Sequence, residues 1–212
     1  MRRFRVALFD WDGTLFDSRA LNHGAVVEIF KRFKLLPPTE EEYFSGISAD
    51  YMGFYYSRGI PRDSSPDSLN EIRKEFMRKN WGKTPLHDDA VKMLIHLKDD
   101  GLKIGIISAE NSDILKERVK QKGLARLLDC LTGDAFDKRM AIWETLEVMR
   151  LEPEDCFFVD DSPRDILKIK ESGVFTIGIT HGFGSPQKIA EAQPDLIVSS
   201  LQKIIEFVDS DT

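Results

Sequence analysis

The sequence predicts an α/β protein whose core is a Rossmann-like, doubly wound parallel sheet, with an all-helical domain inserted into it. Short apolar runs rich in β-branched residues recur along the chain, and each is followed by a stretch with helical periodicity. Continuous apolar strands that alternate with helices are typical of a parallel sheet covered on both faces. Residues 18–82 break this alternation, and 212 residues are enough for one core with an insertion.

The core is assigned to residues 1–17 and 83–212. Its six predicted strands are Arg5–Phe9, Leu102–Ile107, Leu127–Leu131, Cys156–Val159, Val174–Ile179 and Leu196–Ser199. An amphipathic stretch ending at Gly101 precedes the second strand, and further helices are predicted near 112–122, 139–149, 163–172, 186–193 and 201–209. The weakest strand signal is that of the third.

The segment 18–82 has little strand signal and reads as four helices. The predicted helices are 19–35, 39–45, 49–58 and 67–80, separated by proline-containing stretches. A helical block of this length is too long for a simple connection between two neighbouring strands. We therefore interpret it as a second domain.

Composition excludes several classes of protein. The net charge of −6 disfavours a nucleic-acid partner, because phosphate backbones attract basic surfaces. The apolar run near the N-terminus ends at Asp10, and no stretch approaches the length of a membrane span. The two cysteines, Cys130 and Cys156, are far apart and suit a reducing compartment. We expect a cytoplasmic protein without a membrane partner, either a monomer or a small homo-oligomer.

Acidic residues follow two of the predicted strands. Asp10 and Asp12 come directly after the first strand, and Asp160 and Asp161 follow the fourth. Ligands of open parallel sheets bind beyond the carboxyl ends of the strands, where these carboxylates would meet. Their mutual repulsion calls for a cation, and oxygen ligands suit Mg²⁺, which commonly bridges to a phosphate.

Several other positions are weaker candidates when each is taken singly. Ser108 ends the second strand and could donate a hydroxyl to a phosphoryl oxygen, while Asn111 or Ser112 could cap the following helix. Lys138 lies just before a predicted helix, where most lysines are ordinary surface charges. Ser162 before Pro163 has the pattern of a helix N-cap with proline at the first helical position.

Together, these motifs resemble those of the haloacid dehalogenase-like superfamily, which consists mostly of phosphatases. The DxDGT motif is matched by residues 10–14, the strand ending in Ser or Thr by Ser108, the lysine by Lys138, and the final acidic motif by residues 160–165. There are two departures: Asp160 stands where glycine is common, and no proline follows Lys138. The second departure leaves Arg139 as another candidate for the cation of the site.

The resemblance implies a phosphatase that works through an aspartyl-phosphate. Asp10 would be the nucleophile, and Asp12 would protonate the leaving group and later deprotonate water. Ser108 and Lys138 would position and neutralise the transferring oxygens. Thr14 and Asn111 are the predicted substrate-binding residues of the core.

The resemblance also implies a Mg²⁺ site. Its ligands would be Asp10, the backbone carbonyl of Asp12, and Asp161, with Asp165 acting directly or through water. The partner implied is a small-molecule phosphate ester.

The position of the insertion, between the first and second motifs, resembles that of the small helical cap of phosphoglycolate phosphatase-like members. This implies phosphoglycolate, or a sugar or nucleotide phosphate, as the substrate. Within the insertion, the loop 45–48 with Gly46 is predicted to face the substrate, and Arg58 to contact its leaving group. Ordinary packing and solvation explain these two residues equally well.

Four other functions fit the sequence less well than a phosphatase. A phosphomutase of the same superfamily would carry a histidine where this chain has Asn22, although His23 follows. A dehalogenase would lack the second aspartate of the first motif, Asp12. A signalling module of the receiver type has no room for the insertion, and a non-catalytic phosphate-binding relative would not need both Asp10 and Asp12.

Overall fold

The core is a six-stranded, entirely parallel sheet in the computed structural model, which describes residues 4–46 and 51–210. Its strands are β1 (Val6–Phe9), β2 (Lys103–Ile107), β3 (Cys130–Thr132), β4 (Cys156–Asp160), β5 (Phe175–Ile179) and β6 (Leu196–Val198). Their order in the sheet is β3-β2-β1-β4-β5-β6. This is the doubly wound order, so the predicted fold class is confirmed.

The direction of winding reverses at β1, which lies between β2 and β4. In the register of the sheet, Phe9 pairs with Ile106 on one side and with Val159 on the other. Strand β1 therefore ends one residue before β2 and β4, and the three strands end at nearly the same level. Ligands of open α/β sheets bind in the crevice at this reversal point, so the register brings the ends of β1, β2 and β4 to one site.

The two faces of the sheet are buried by different helices. The helices that follow the insertion are α5 (Ala90–Asp99), α6 (Ser112–Gln121), α7 (Lys138–Met149), α8 (Pro163–Lys170), α9 (Pro186–Glu191) and α10 (Gln202–Ser210). Side chains of α7 and α8 share one apolar cluster with Val6, Leu8 and Phe158. Phe207 of α10 instead packs with Phe4, whose ring also contacts Phe157. Successive strand residues point to opposite faces, which explains the two clusters.

The chain divides into two compact units, Met1–Asp17 with Pro85–Thr212 and Ser18–Thr84. The second unit contains α1 (Arg19–Arg32), α2 (Glu40–Gly46), α3 (Tyr51–Ser57) and α4 (Pro66–Asn80), and a short 3₁₀ turn at Trp81–Lys83. Its apolar core includes Val26, Phe30, Tyr43, Tyr55 and Leu69. In the ranges 4–46 and 51–210, no helix combines the length and the apolar character needed to cross a bilayer.

Two elements differ from their predicted bounds for local reasons. Helix α1 was predicted to reach residue 35 but ends at Arg32, because Lys34 adopts a left-handed conformation with φ of 57°. The third strand was predicted at Leu127–Leu131 but begins at Cys130. The preceding residues form a turn, in which the backbone N–H of Leu127 donates to the carbonyl of Leu124.

Candidate active site

Asp10 leaves the sheet directly after β1 and is buried beside a lysine. Only 5% of its surface is exposed, and its Oδ1 lies 2.8 Å from Nζ of Lys138. Burial raises the pKa of Asp10 to about 7, although the contact with Lys138 opposes the rise. A buried carboxylate at the reversal point of the sheet is therefore held in place by a charged hydrogen bond.

Lys138 is the first residue of α7, and the side chain of Asp137 caps this helix by accepting the N–H of Met140. The Nζ of Lys138 lies 2.7 Å from Asp160 Oδ2 and 3.1 Å from Asp165 Oδ2, in addition to its contact with Asp10. Burial alone would lower the pKa of Lys138, but these carboxylates hold it well above its ordinary range. Arg139 instead lies 3.8 Å from Glu171 on an exposed part of the helix. The structure thus brings Lys138, and not Arg139, to the acidic residues.

Asp10, Asp160 and Asp161 form a buried acidic group. One carboxylate oxygen of each lies within 4.8 Å of the others, a spacing that could hold a metal ion. Burial raises the pKa of both Asp160 and Asp161 to about 7, and the neighbouring acids add to the rise. This accumulation of buried negative charge is the arrangement that a bound cation offsets. Asp160 was not among the predicted ligands, although its place in the acidic pair was a signal for it.

Asp161 is fixed by contacts from two loops. Its Oδ1 accepts the hydroxyl of Thr14 at 3.3 Å, and its Oδ2 accepts the backbone N–H of Phe183 at 2.5 Å. A Cβ added at Gly13 or at Gly182 would overlap this carboxyl group, so both loops approach it too closely for any side chain. Thr14 is therefore placed against the acidic group, while its role in substrate binding stays a prediction.

Asp165 lies in the first turn of α8, which begins as the sequence predicts. Ser162 is the N-cap and accepts the N–H of Asp165, with Pro163 at the first helical position. The carboxylate of Asp165 contacts Lys138 through Oδ2 and Arg164 through Oδ1. Burial would raise the pKa of Asp165, but the two cations hold it below its usual value. The structure therefore links Asp165 to the lysine, and its predicted metal role stays untested.

Ser108 and Asn111 lie in the loop after β2. Ser108 is 2% exposed, and its Oγ accepts the backbone N–H of Glu110 at 3.1 Å. Its hydroxyl hydrogen can therefore be directed towards another oxygen. Asn111 caps α6, because its Oδ1 accepts the N–H groups of Asp113 and Ile114. This is the capping role that the sequence allowed, and a substrate contact by Asn111 stays a prediction.

Asp12 lies near an ion pair that the sequence analysis did not identify. Arg118, on α6, has Nη1 2.7 Å from Glu110 Oε2 and 3.9 Å from Asp12 Oδ1. The side chain of Arg118 is 3% exposed. Its signal in the sequence was a charged residue at helical spacing from Leu115 and beside Val119, both of which are buried.

A stacked pair of histidines was also missed. The rings of His87 and His181 lie with centroids 3.6 Å apart, and His181 Nε2 is 3.1 Å from the carbonyl oxygen of Thr14. Burial lowers the pKa of both histidines, that of His181 to about 4. These residues are far apart in the sequence, which gave no indication that they would meet beneath the loop after β1.

In the helical unit, the two predicted substrate residues pack against the same ring. A Cβ at Gly46 would lie 2.8 Å from the ring of Phe54, and the Arg58 guanidinium lies 4.9 Å from the centre of that ring. Arg58 also lies 3.5 Å from Glu42. Ser45 and Gly46 were predicted to lie in a loop, but they form the last turn of α2. Ile47 and Ser48, which complete the predicted loop, lie outside the described residues.

Comparison with known proteins assigns this arrangement to a family. Residues 7–179 match the haloacid dehalogenase-like hydrolases. The chain belongs to the haloacid dehalogenase-like hydrolase family. The match confirms the resemblance drawn from the four motifs and the prediction that the protein is an enzyme.

Relatives of this haloacid dehalogenase-like hydrolase cover nearly its whole length. It is 30% identical to a protein of Clostridium perfringens named "Putative pyrophosphatase PpaX", over 97% of each chain. It is 26% identical to a phosphoglycolate phosphatase of Vibrio cholerae, over 98% of each chain. The fold matches a haloacid dehalogenase-like family hydrolase from Streptococcus pneumoniae with a TM-score of 0.81, at 21% identity over 98% of this chain and 99% of that one.

Proposed function

We propose that this hydrolase is a Mg²⁺-dependent phosphatase that cleaves a small phosphate monoester through a phosphorylated Asp10. The observation that carries the proposal is the contact of Asp10 with Lys138 inside the acidic group. Asp10 contacts a lysine and belongs to an acidic group that could bind a cation. Such a carboxylate is suited to attack a phosphoryl group, because the lysine and the cation neutralise the charge of the phosphoryl oxygens.

The donor set fits a hard divalent cation. The acidic group offers only carboxylate oxygens, which Mg²⁺ prefers to nitrogen and sulfur ligands. We propose that Asp10, Asp161 and the backbone carbonyl of Asp12 hold the ion, and that Asp160 orients Lys138. When it is bound, the ion offsets the charge of the carboxylates and of the phosphoryl oxygens.

The first half of the proposed reaction forms an acyl phosphate. A carboxylate oxygen of Asp10 attacks phosphorus as the bond from phosphorus to the leaving oxygen breaks. Asp12 donates its proton to that oxygen, so the product leaves as a neutral alcohol. The charge that develops on the transferring oxygens faces Lys138 and the hydroxyl of Ser108, which are fixed before the reaction begins.

The second half returns the enzyme to its starting state. Asp12, now ionised, takes a proton from water as the water oxygen attacks the phosphorus of the acyl phosphate. The bond between phosphorus and Asp10 breaks, inorganic phosphate is released, and Asp10 is again a carboxylate. One ester and one water thus give one alcohol and one phosphate.

The names of the relatives suggest which phosphate compounds to test first. Phosphoglycolate and pyrophosphate are the compounds named for two of the relatives, and sugar and nucleotide phosphates extend the range. We propose that the helical unit selects among them, with Arg58 contacting the leaving group and Gly46 allowing the substrate to approach. Replacing Arg58 with alanine would then raise KM for the preferred substrate and change kcat less.

The test is a phosphate-release screen over these compounds and an aryl phosphate, with Mg²⁺ and with excess chelator. We expect turnover that chelator removes and Mg²⁺ restores, and none in Asp10→Asn. Full turnover in excess chelator would refute the metal site.

A phosphomutase is the alternative within the same family. The structure gives Asn22 and His23 partners inside the helical unit, since Asn22 binds Arg73 and Ser18, and His23 lies 2.9 Å from the carbonyl of Pro38. These contacts favour a structural role for both residues. Conversion of a sugar phosphate into its isomer without release of phosphate would instead establish the mutase.

A further inference from the structure

Arg118 occupies a position on α6 where an apolar residue would be expected. Leu115 and Val119, three residues before it and one after it, are buried on the same side of the helix, and Arg118 itself is 3% exposed. Burying a guanidinium costs several kcal/mol unless its partners compensate, and an apolar side chain at such a position is often at least as stabilising. Stability alone therefore does not account for an arginine here.

Arg118 contacts Glu110 and Asp12, the proposed general acid. Nη1 lies 2.7 Å from Oε2 of Glu110 and 3.9 Å from Oδ1 of Asp12, and both contacts are ion pairs. Glu110 comes two residues after Ser108, so its backbone is fixed by the N–H donated to the Ser108 hydroxyl. Glu110 thereby anchors the guanidinium from the loop after β2.

Aromatic rings hold the guanidinium from another direction. Its central carbon lies 5.6 Å from the centre of the Phe16 ring, a cation–π contact, and that ring stacks on Trp11 with centroids 5.1 Å apart. The backbone of Phe16 also forms an isolated β-bridge with that of Asp12, and the carbonyl of Phe16 accepts the backbone N–H of Gly13. Arg118 therefore joins the turn that carries Asp12 to the loop that carries Ser108.

We propose that Arg118, anchored by Glu110, is a positioning residue that holds the Asp12 carboxyl group in the orientation from which it transfers its proton to the leaving oxygen. This inference rests on the proposed function, because it assigns Arg118 to a proton transfer within that reaction. The proton moves from Asp12 to the leaving oxygen as the bond between that oxygen and phosphorus breaks, and water later restores it. Arg118 exchanges no proton.

A positioning role predicts a dependence on the leaving group. An alkyl phosphate has a poor leaving group and needs the proton, whereas an aryl phosphate such as p-nitrophenyl phosphate has a good one and needs it little. Misplacing Asp12 should therefore slow phosphorylation of the enzyme by the alkyl ester by about 10- to 100-fold. Phosphorylation by the aryl ester should change by less than about threefold.

The experiment compares Arg118→Met with Asp12→Asn and with the double variant, in single-turnover assays with both esters. Because Arg118 acts through Asp12, its replacement should slow the alkyl reaction in the wild-type background and add nothing once Asp12 is Asn. Glu110→Gln should give a smaller effect of the same kind. Lys122→Met is the matched control, since Lys122 lies 5.7 Å from the same Phe16 ring and should leave the ratio of the two rates unchanged.

Two kinetic results would overturn the inference. One is an equal loss on both esters, which a general loosening of the site would cause. The other is a loss that multiplies with that of Asp12→Asn, which would show that Arg118 acts independently of Asp12.

Crystal structures of the wild type and of Arg118→Met separate this inference from the proposed function. The variant should show the Asp12 side chain in a different rotamer or in several, with the Asp10 and Asp161 carboxyl groups unmoved. If the wild type hydrolyses no phosphate ester, the proposed function fails by itself, and so does the catalytic part of the inference. An Asp12 side chain that keeps its conformation in the variant would overturn the positioning role whatever the activity.

Discussion

Lys138 offsets part of the buried negative charge at the candidate active site. Lys138 contacts Asp10, Asp160 and Asp165 within 3.1 Å, whereas the neighbouring Arg139 lies near Glu171 at the surface. Two adjacent basic residues therefore have different environments, and each can serve as the control for the other.

The first prediction follows from this difference. Lys138→Met should reduce phosphatase activity by more than about 100-fold, because it removes the cation that neutralises the transferring group. It should also lower the free energy of unfolding by about 3–5 kcal/mol in the absence of metal, since buried charges lose their partner. Arg139→Met should be close to wild type in both measurements, which are steady-state kinetics and urea unfolding. Equal losses in the two variants would contradict the assignment.

The second prediction separates the roles of Asp10 and Asp12. Asp12→Asn keeps the nucleophile, so an aryl phosphate should still phosphorylate the enzyme, while hydrolysis of the acyl phosphate slows by about 10²–10⁴-fold for want of a base. The phosphorylated form should therefore accumulate, and intact-mass measurement after acid quenching would detect it. Asp10→Asn should give no phosphorylated form under the same conditions. Phosphorylation of Asp10→Asn would show that another residue is the nucleophile.

At the scale of elements, the loop after β5 determines the position of Asp161. The backbone N–H of Phe183 donates to this carboxylate, and a Cβ at Gly182 would overlap it. This loop lies far from Asp161 in the sequence, yet it contributes a wall of the site.

The third prediction is that Gly182→Ala displaces the Asp161 carboxyl group and weakens metal binding by about tenfold or more. The Mg²⁺ concentration that gives half-maximal activity should rise by that factor, while the far-ultraviolet circular dichroism spectrum stays unchanged. Gly82→Ala is the control, because a Cβ there would meet none of the described atoms within 4 Å. An unchanged Mg²⁺ requirement in Gly182→Ala would contradict the role given to this loop.

The fourth prediction concerns the stacked histidines, which lie between the start of α5 and the loop after β5. Burial lowers the pKa of His181 from 6.5 to about 4, so the folded protein binds fewer protons there than the unfolded chain between these pH values. The stabilisation that results is present above pH 6.5 and is lost as the pH falls towards 4. As the pH is lowered from 6.5 towards 4, the free energy of unfolding should therefore fall less steeply in His181→Gln than in the wild type.

Urea unfolding from pH 4.5 to 7.5 measures this difference, and carboxylates shared by the two proteins cancel in the comparison. The facing charged groups are His87 and the acidic residues Asp17, Asp88 and Asp89. If these acids dominate the titration, the two curves will run parallel, and the prediction will have failed.

At the scale of the whole molecule, the acidic group couples metal binding to stability. Burial raises the pKa of Asp161 to about 7, so its ionised form destabilises the metal-free protein at pH 8. A ligand that binds only the folded state stabilises it, by about 2.7 kcal/mol at 100 times its dissociation constant.

The fifth prediction is that Asp161→Asn stabilises the metal-free protein, although most substitutions of buried residues destabilise a fold. In chelator at pH 8 the variant should be more stable than the wild type by about 1–3 kcal/mol, because one buried charge is gone. Added Mg²⁺ should stabilise the wild type and leave the variant nearly unchanged. Thermal unfolding with and without Mg²⁺ measures both effects. A variant that gains as much from Mg²⁺ as the wild type would rule out Asp161 as a ligand.

Local features of the sequence were sufficient for most of the fold. The apolar strands and the Ser162–Pro163 start of α8 were predicted, and Asn111 was one of two candidates for the cap of α6, because propensity and capping depend on residues within a few positions. The acidic residues at the ends of β1 and β4 were also predicted to meet, because the carboxyl ends of parallel strands lie at one edge of the sheet. The weaker third strand was displaced, since its start depends on pairing with β2.

What only the tertiary structure decided are the contacts between residues that the sequence leaves unrelated. The choice of Lys138 over Arg139 and the burial of Arg118 beside Asp12 depend on which side of a helix faces the end of the sheet. The stacking of His87 on His181 depends on two loops converging beneath a third. The sequence by itself determined which residue types lie at the ends of the strands, because that is local. Their partners are set by packing over the whole core, and the energy of a buried charge is determined by those partners.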